Sequence, residues 1–267
     1  MSVATILPVS AVDAAAGVSD VEFKRLMGIP RGREMPPEVG ERSDLARRWY
    51  AGHGRPFIAA RRIGLREMGA ESVTLETGDV IAGAALAERL RAGEAHALVA
   101  LAVSAGREAA DEAARLWADE RPDESWFLDR FAVAVAEQLV WQTSAALCGD
   151  ATAAGEGLLP HLSPGCGRWD ISGQHALMAL LLGLTPQEVR TATSATEGET
   201  STGATLGPLT LLDSGALRPQ HSLLAALGVT RRAIVATPES SCRSCDLVHC
   251  RYRRARYTRD SIPGVTG

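Results

Sequence analysis

Leu162-Ser163-Pro164-Gly165-Cys166-Gly167-Arg168-Trp169-Asp170-Ile171 is the stretch from which the fold is read. Pro164 fixes its own φ, and Gly165 and Gly167 accept backbone angles closed to other residues. A segment built this way exposes backbone N–H and C=O groups to a ligand, or is an ordinary turn. The run from Leu159 to Ile171 has no clean period, whereas Gly173 to Leu184 reads as a helix, closed by Gly183 and followed by Thr185-Pro186.

Working outward, Ala95 to Val103 is an unbroken apolar run of strand length, and Leu209–Leu212 and Ser222–Val229 read as further strands. Ser72–Leu75 is a short strand before the Gly78-Asp79 turn, and Phe57–Met68 has no clear assignment. Ala82–Arg91, Arg107–Asp119 and Trp126–Leu147 have helical character; in the last, Phe127, Phe131, Val135 and Leu139 recur every fourth residue and share a face. A short helix is expected from Asp20 as N-cap to Gly28, with Pro30 as breaker. Arg31–Gly54 reads as a loop with one helical turn at Ser43–Tyr50, and Thr191–Gly207 as a polar loop. Strands and helices alternate only in part, which gives an α+β chain.

The 267 residues hold ample apolar material for a packed core, and the 12 aromatics leave most of it to Ala, Leu and Val. Disordered, collagen-like and disulfide-scaffold classes are excluded by composition. A net charge of −4 gives no reason to expect a nucleic-acid partner. The first basic residue is Lys24, so Met1–Gly17 lacks the charged start of a signal peptide, and the longest oily run, Leu177–Leu184, is too short to span a bilayer. A cytoplasmic chain without a membrane partner is expected. Basic residues are lopsided: 27 are Arg and one, Lys24, is Lys. Any Schiff-base chemistry would have to run through it.

Cys242, Cys245 and Cys250 have C-x2-C-x4-C spacing, close enough for two sulfurs to reach one metal from a tight turn and a third from the next. Thiolates favour zinc or an iron–sulfur cluster; three ligands leave a fourth position open or filled from afar. Cys166 is the preferred distant donor over Cys148, His161, His221 and His249. The arginines that follow, Arg251, Arg253, Arg254 and Arg256, read as a solvated face or as the hold on an anionic cofactor or partner.

Leu162–Ile171 followed by a helix resembles the Ser-Pro-Gly-Tyr-Gly-Asp-Trp-Pro-Leu signature of the activation (reactivation) domain of cobalamin-dependent methionine synthase, in particular its free-standing relatives. Val21–Gly28 is similar to the family's opening Val-Leu-Arg-Tyr-Leu-Gly helix. Leu128-Asp129 and Glu137 fall on its central helix, and Leu217–Ser222 resembles its Met-x-Pro-x-x-Ser strand start. Free-standing members often end in a cysteine cluster followed by Tyr-Arg, as Cys250–Arg253 does. The resemblance implies a bent antiparallel sheet flanked by helices, binding S-adenosylmethionine (SAM) for reductive remethylation of a corrinoid held by a partner protein. Cobalamin itself would sit only on that partner. Carried over by position, Ser163, Pro164, Gly165 and Gly167 face SAM, with His161, Arg168, Asp129 and Glu137 around it. Cys166 either faces substrate as the catalytic residue or completes the metal site.

Three departures bear on that site. His161 stands where the family has Arg, which gives up a permanent bidentate partner for a carboxylate. Cys166 stands for Tyr, and Arg168 for Asp. The expected organisation is an extension over 1–18, a SAM-binding domain over 19–235 and a metal-binding tail over 236–267. An iron–sulfur enzyme that uses SAM on a small-molecule substrate without a corrinoid, and a zinc-stapled binding module, are the alternative readings.

Overall fold

The computed structural model describes residues 3–30, 32–194, 203–234, 242, 250 and 253–255. In chain order the N-terminal half comprises β1 (Thr5–Leu7), α1 (Ala11–Gly17), α2 (Asp20–Leu26), α3 (Pro37–His53), β2 (Phe57–Met68), β3 (Ser72–Leu75), β4 (Val80–Ala82), α4 (Ala84–Ala92) and β5 (Ala95–Ser104). It continues through α5 (Glu108–Ala118), α6 (Pro122–Ala153), β6 (Gly157–Leu158), α7 (Gly173–Leu182), α8 (Pro186–Ser194), β7 (Ala204–Leu206), β8 (Leu209–Leu211), β9 (Leu217–Arg218) and β10 (Ser222–Thr230).

The unbroken apolar run of β5 has a simple cause: both faces of the strand are covered. Successive side chains point to opposite sides. Ala97, Val99, Leu101 and Val103 join one core, while Leu98, Ala100 and Ala102 join the other. The first core lies under α1, α2, α3, α5 and α6, and the second under α4 and α7. β10 divides the same way, with Ala225, Leu227 and Val229 in one core and Leu224 and Ala226 in the other.

The main sheet is antiparallel in the order β4-β3-β2-β5-β10-β6, with β1 added to β2; β7, β8 and β9 form a second small sheet. The pairings shift register between Leu65 and Glu67 and at Val229–Thr230, which lets a long strand leave the flat sheet. A curled antiparallel sheet with eight helices among the described residues is an α+β fold, as the sequence implied.

Several elements differ from the reading. Phe57–Met68 is one twelve-residue strand. Arg61 and Arg62 interrupt its apolar pattern within the sheet, opposite Ala100 and Val99 of β5: Arg61 donates to the Leu180 carbonyl and Arg62 pairs with Glu156, and from Leu65 the strand pairs with β3. Arg31–Gly54 holds a seventeen-residue helix rather than one turn, starting at Pro37. The cap of α2 is Ser19, whose Oγ accepts the Glu22 N–H at 3.2 Å, and Asp20 is the first helical residue. Within residues 1–18, β1 pairs with β2 and α1 buries Ala14 and Ala15. The Thr191–Gly207 segment begins in α8 and ends in β7; residues 195–202 lie outside the described residues. Helix α6 is long and apolar enough by composition to cross a membrane, and half of its most apolar window is buried within the fold.

Candidate functional site

The site is built on the outer edge of β10. β6 pairs only with Val229 and Thr230, and the chain then returns along the same edge, bridging Leu162 to Ala226 through N–H···O bonds of 2.9 and 2.8 Å. Beyond that bridge, no strand among the described residues pairs with the outer edge of Ser222–Ala225. The chain leaves the sheet there into the Ser163–Gly167 turn. The Cys166 N–H donates to the Ser163 carbonyl at 3.1 Å, and the Gly165 N–H to the Trp169 carbonyl at 2.8 Å. Gly165 and Gly167 have φ of +86° and +58°, so the turn needs glycine at both places.

Trp169 anchors the turn. Its ring is 1% exposed and its indole N–H donates to the Ala82 carbonyl at 3.0 Å. Bare backbone brackets the ring: a Cβ at Gly83 or Gly173 would come within 2.6 or 2.5 Å of the indole nitrogen. Ser163 is buried, and its Oγ has no hydrogen-bond partner among the described residues. Gln174 and His175, at the start of α7, also hold a buried, unpartnered Oε1 and Nε2. Buried polar atoms are normally satisfied, so three of them within thirteen residues of chain mark a place that expects polar company.

His161 precedes the turn. The guanidinium of Arg89 donates to the Pro160 carbonyl at 3.1 Å and holds the backbone there. Lost hydration, then the positive charges of Arg89 and Arg254, push the His161 imidazole from 6.5 down to about 4. It is therefore neutral at physiological pH, and the arginine it replaces in the family is not mimicked by a histidinium. Arg168 is exposed and pairs with Glu88 on α4; Cys166 is half-buried in the turn.

The two acids on α6 are both engaged. Asp129 accepts from His221 Nε2 at 2.9 Å, Gln220 Nε2 at 3.0 Å and Arg130 at 2.7 Å, and its carboxyl is held below the usual range chiefly by the His221 bond. Glu137 lies between Arg25 of α2 at 2.6 Å and Arg254 of the tail at 3.1 Å; burial nevertheless pushes its carboxyl upward. Glu22 binds the same two guanidiniums at 3.0 and 2.9 Å. The structure thus brings one of the tail arginines to the acid expected from the central helix. Sequence spacing carries no signal for that cluster, because Arg25 and Glu137 are 112 residues apart.

Of the three cysteines expected to bind metal, Cys245 lies outside the described residues. The Cys242 sulfur accepts the Arg254 N–H at 3.4 Å, and the Cys250 carbonyl accepts the Arg253 N–H at 3.4 Å. Among the described residues no three His, Cys, Asp or Glu side chains come together as a metal site.

No family model matches the sequence, and no curated protein matches it. A crystal structure of the MetH reactivation domain bound to AdoHcy is similar in three dimensions. It superposes with a TM-score of 0.60 at 13% identity, over 89% of this chain and 81% of that one. The chain has the methionine synthase reactivation-domain fold. At this identity the likeness concerns the reactivation-domain fold, and the chemistry of the site has to be argued from its own residues.

Proposed function

We propose that this chain binds SAM at the open edge of β10 and acts in the reductive remethylation of a corrinoid carried by a partner protein. The observation that carries the reading is the buried, unpartnered Ser163 hydroxyl in a turn whose two glycines have left-handed backbone. It stands in a fold shared with a domain solved with AdoHcy, the demethylated form of SAM.

In this reading Ser163, Pro164, Gly165 and Gly167 face the ligand, and Cys166 faces the transferred group or donates to a metal. His161, Arg168, Asp129 and Glu137 surround it. Neutral His161 offers no charge to the amino-acid carboxylate, so that end of the ligand is held by hydrogen bonds or by an arginine from elsewhere. Cys242, Cys245 and Cys250 would hold an iron–sulfur cluster or zinc in a tail over 236–267 that follows a domain over 19–235; a cluster supplies electrons, whereas zinc fixes the tail. The Cys242 sulfur accepts the backbone N–H of Arg254.

The test is calorimetric titration of the full chain, purified without oxygen, with SAM and AdoHcy, followed by metal and sulfide analysis. Binding of both ligands, and SAM turnover only when a corrinoid protein and a one-electron reductant are added together, support the proposal. Absence of binding removes it, and SAM consumption with a small molecule alone replaces the corrinoid role with a self-contained enzyme.

A further inference from the structure

Two tryptophans face water on one side of the fold: Trp117 is 67% exposed and Trp126 45%. Both forgo the burial that so large an apolar ring normally gains. They line a cleft of about 550 Å³ between α5, the first turns of α6 and the chain that runs from β9 into β10. That volume falls within the ~300–1,000 Å³ usual for small-molecule sites.

The cleft is mostly apolar. Ala110, Ala114 and Trp117 fall at i, i+4 and i+7 on α5, so one helix face meets the cleft with two methyl groups and an indole. Ser125 adds little polarity, because its hydroxyl donates to the Ala113 carbonyl at 2.7 Å. The Asp129 carboxylate borders the cleft, yet His221, Gln220 and Arg130 already bind it. Arg218 differs. It is exposed, and its guanidinium makes no ion pair or hydrogen bond among the described residues. The cleft therefore sets one unanswered positive charge beside two aromatic surfaces.

We propose that this cleft binds a small aromatic carboxylate, its ring against the indoles and its carboxylate on Arg218. A guanidinium fork matches the two oxygens of a carboxylate, and the ligand's ring leaves water against Trp117 and Trp126. A phosphate ester would bring a second negative charge, and no second cation lines the cleft. Asp129 is the one residue shared with those placed around SAM, so the test keeps the two sites apart.

The test is calorimetric titration of the full chain with naphthoate, and with naphthamide as its uncharged counterpart. Naphthoate should bind, and naphthamide at least about tenfold more weakly. R218M should lower naphthoate affinity about tenfold to a hundredfold, as expected for losing a charge-assisted contact, and leave naphthamide unaffected. W117A and W126A should each weaken both compounds, whereas W126F should weaken them less. All three side chains are exposed, so each variant should keep the wild-type circular dichroism and thermal midpoint. Naphthoate binding should be the same in S163A and in wild type saturated with SAM. No binding of naphthoate, equal binding of acid and amide, undiminished binding by R218M, displacement by SAM, or binding only of an acidic peptide would each overturn the assignment.

Discussion

A hydroxyl shut away from water with no partner is a cost that folding alone does not explain. At Ser163 that cost is recovered only if a ligand supplies the missing bond. S163A should therefore leave the unfolding midpoint unchanged or raise stability by up to about 1 kcal/mol, while SAM affinity falls roughly tenfold. Denaturant melts beside calorimetric titration check this; a large loss of stability would show the hydroxyl to be structural. Two residues earlier, His161 makes a pH prediction. Unfolded, its imidazole takes a proton near 6.5; folded, it resists until about 4. The unfolded state therefore binds more protons in that window. Stability is undiminished above pH 6.5, declines as pH falls toward 4, and levels off below. H161Q, which has no such proton to take, should lose less stability than wild type between pH 7.5 and 4.5, by urea denaturation at each pH.

At the scale of elements, the turn is held by a tryptophan pinched between two glycines, one before α4 and one opening α7. G173A drives a Cβ to 2.5 Å from the indole nitrogen and 3.3 Å from Pro164. Overpacking of this kind should destabilise by about 1–3 kcal/mol, visible as a lower thermal midpoint and altered tryptophan emission. This arrangement also shows what was legible in the sequence. Pro164, Gly165, Gly167, Trp169 and Gly173 stand close together in the chain, so the turn and the helix after it could be read, whereas the approach of Gly83 could not; β5, α5 and the middle of α6 follow from apolar runs and a 3.6-residue period. β2 was not legible, because Arg61 and Arg62 break its apolar run and find their partners, the Leu180 carbonyl and Glu156, far along the chain, and α3 was hidden by Gly40 and a polar sequence. Asp129 and Glu137 could be placed on one helix, but not their partners His221 and Arg254, since ion pairs across the fold leave no trace in spacing. The grouping of Cys242, Cys245 and Cys250 rests on spacing alone, and Cys245 lies outside the described residues.

For the molecule as a whole, Glu137 ties three distant parts of the chain together: α2 through Arg25, the long α6 on which it sits, and the tail through Arg254. The guanidinium side chains are 15% and 10% exposed, so each is largely withdrawn from water and depends on its carboxylate. Removing the shared acid takes a carboxylate from both guanidiniums at once; removing Arg254 leaves Arg25 and Glu137 still paired. Breaking a buried ion pair from one side costs about 3–5 kcal/mol, and losing one of two charge-assisted bonds about 1–3 kcal/mol. E137M should therefore lower the stability of the whole domain, whereas R254M should chiefly loosen the tail. Denaturant unfolding and limited proteolysis separate the two: R254M should hasten cleavage beyond residue 234 while the midpoint of the body moves little, and E137M should shift both. Equal proteolysis of R254M and wild type would mean that Arg254 does not hold the tail.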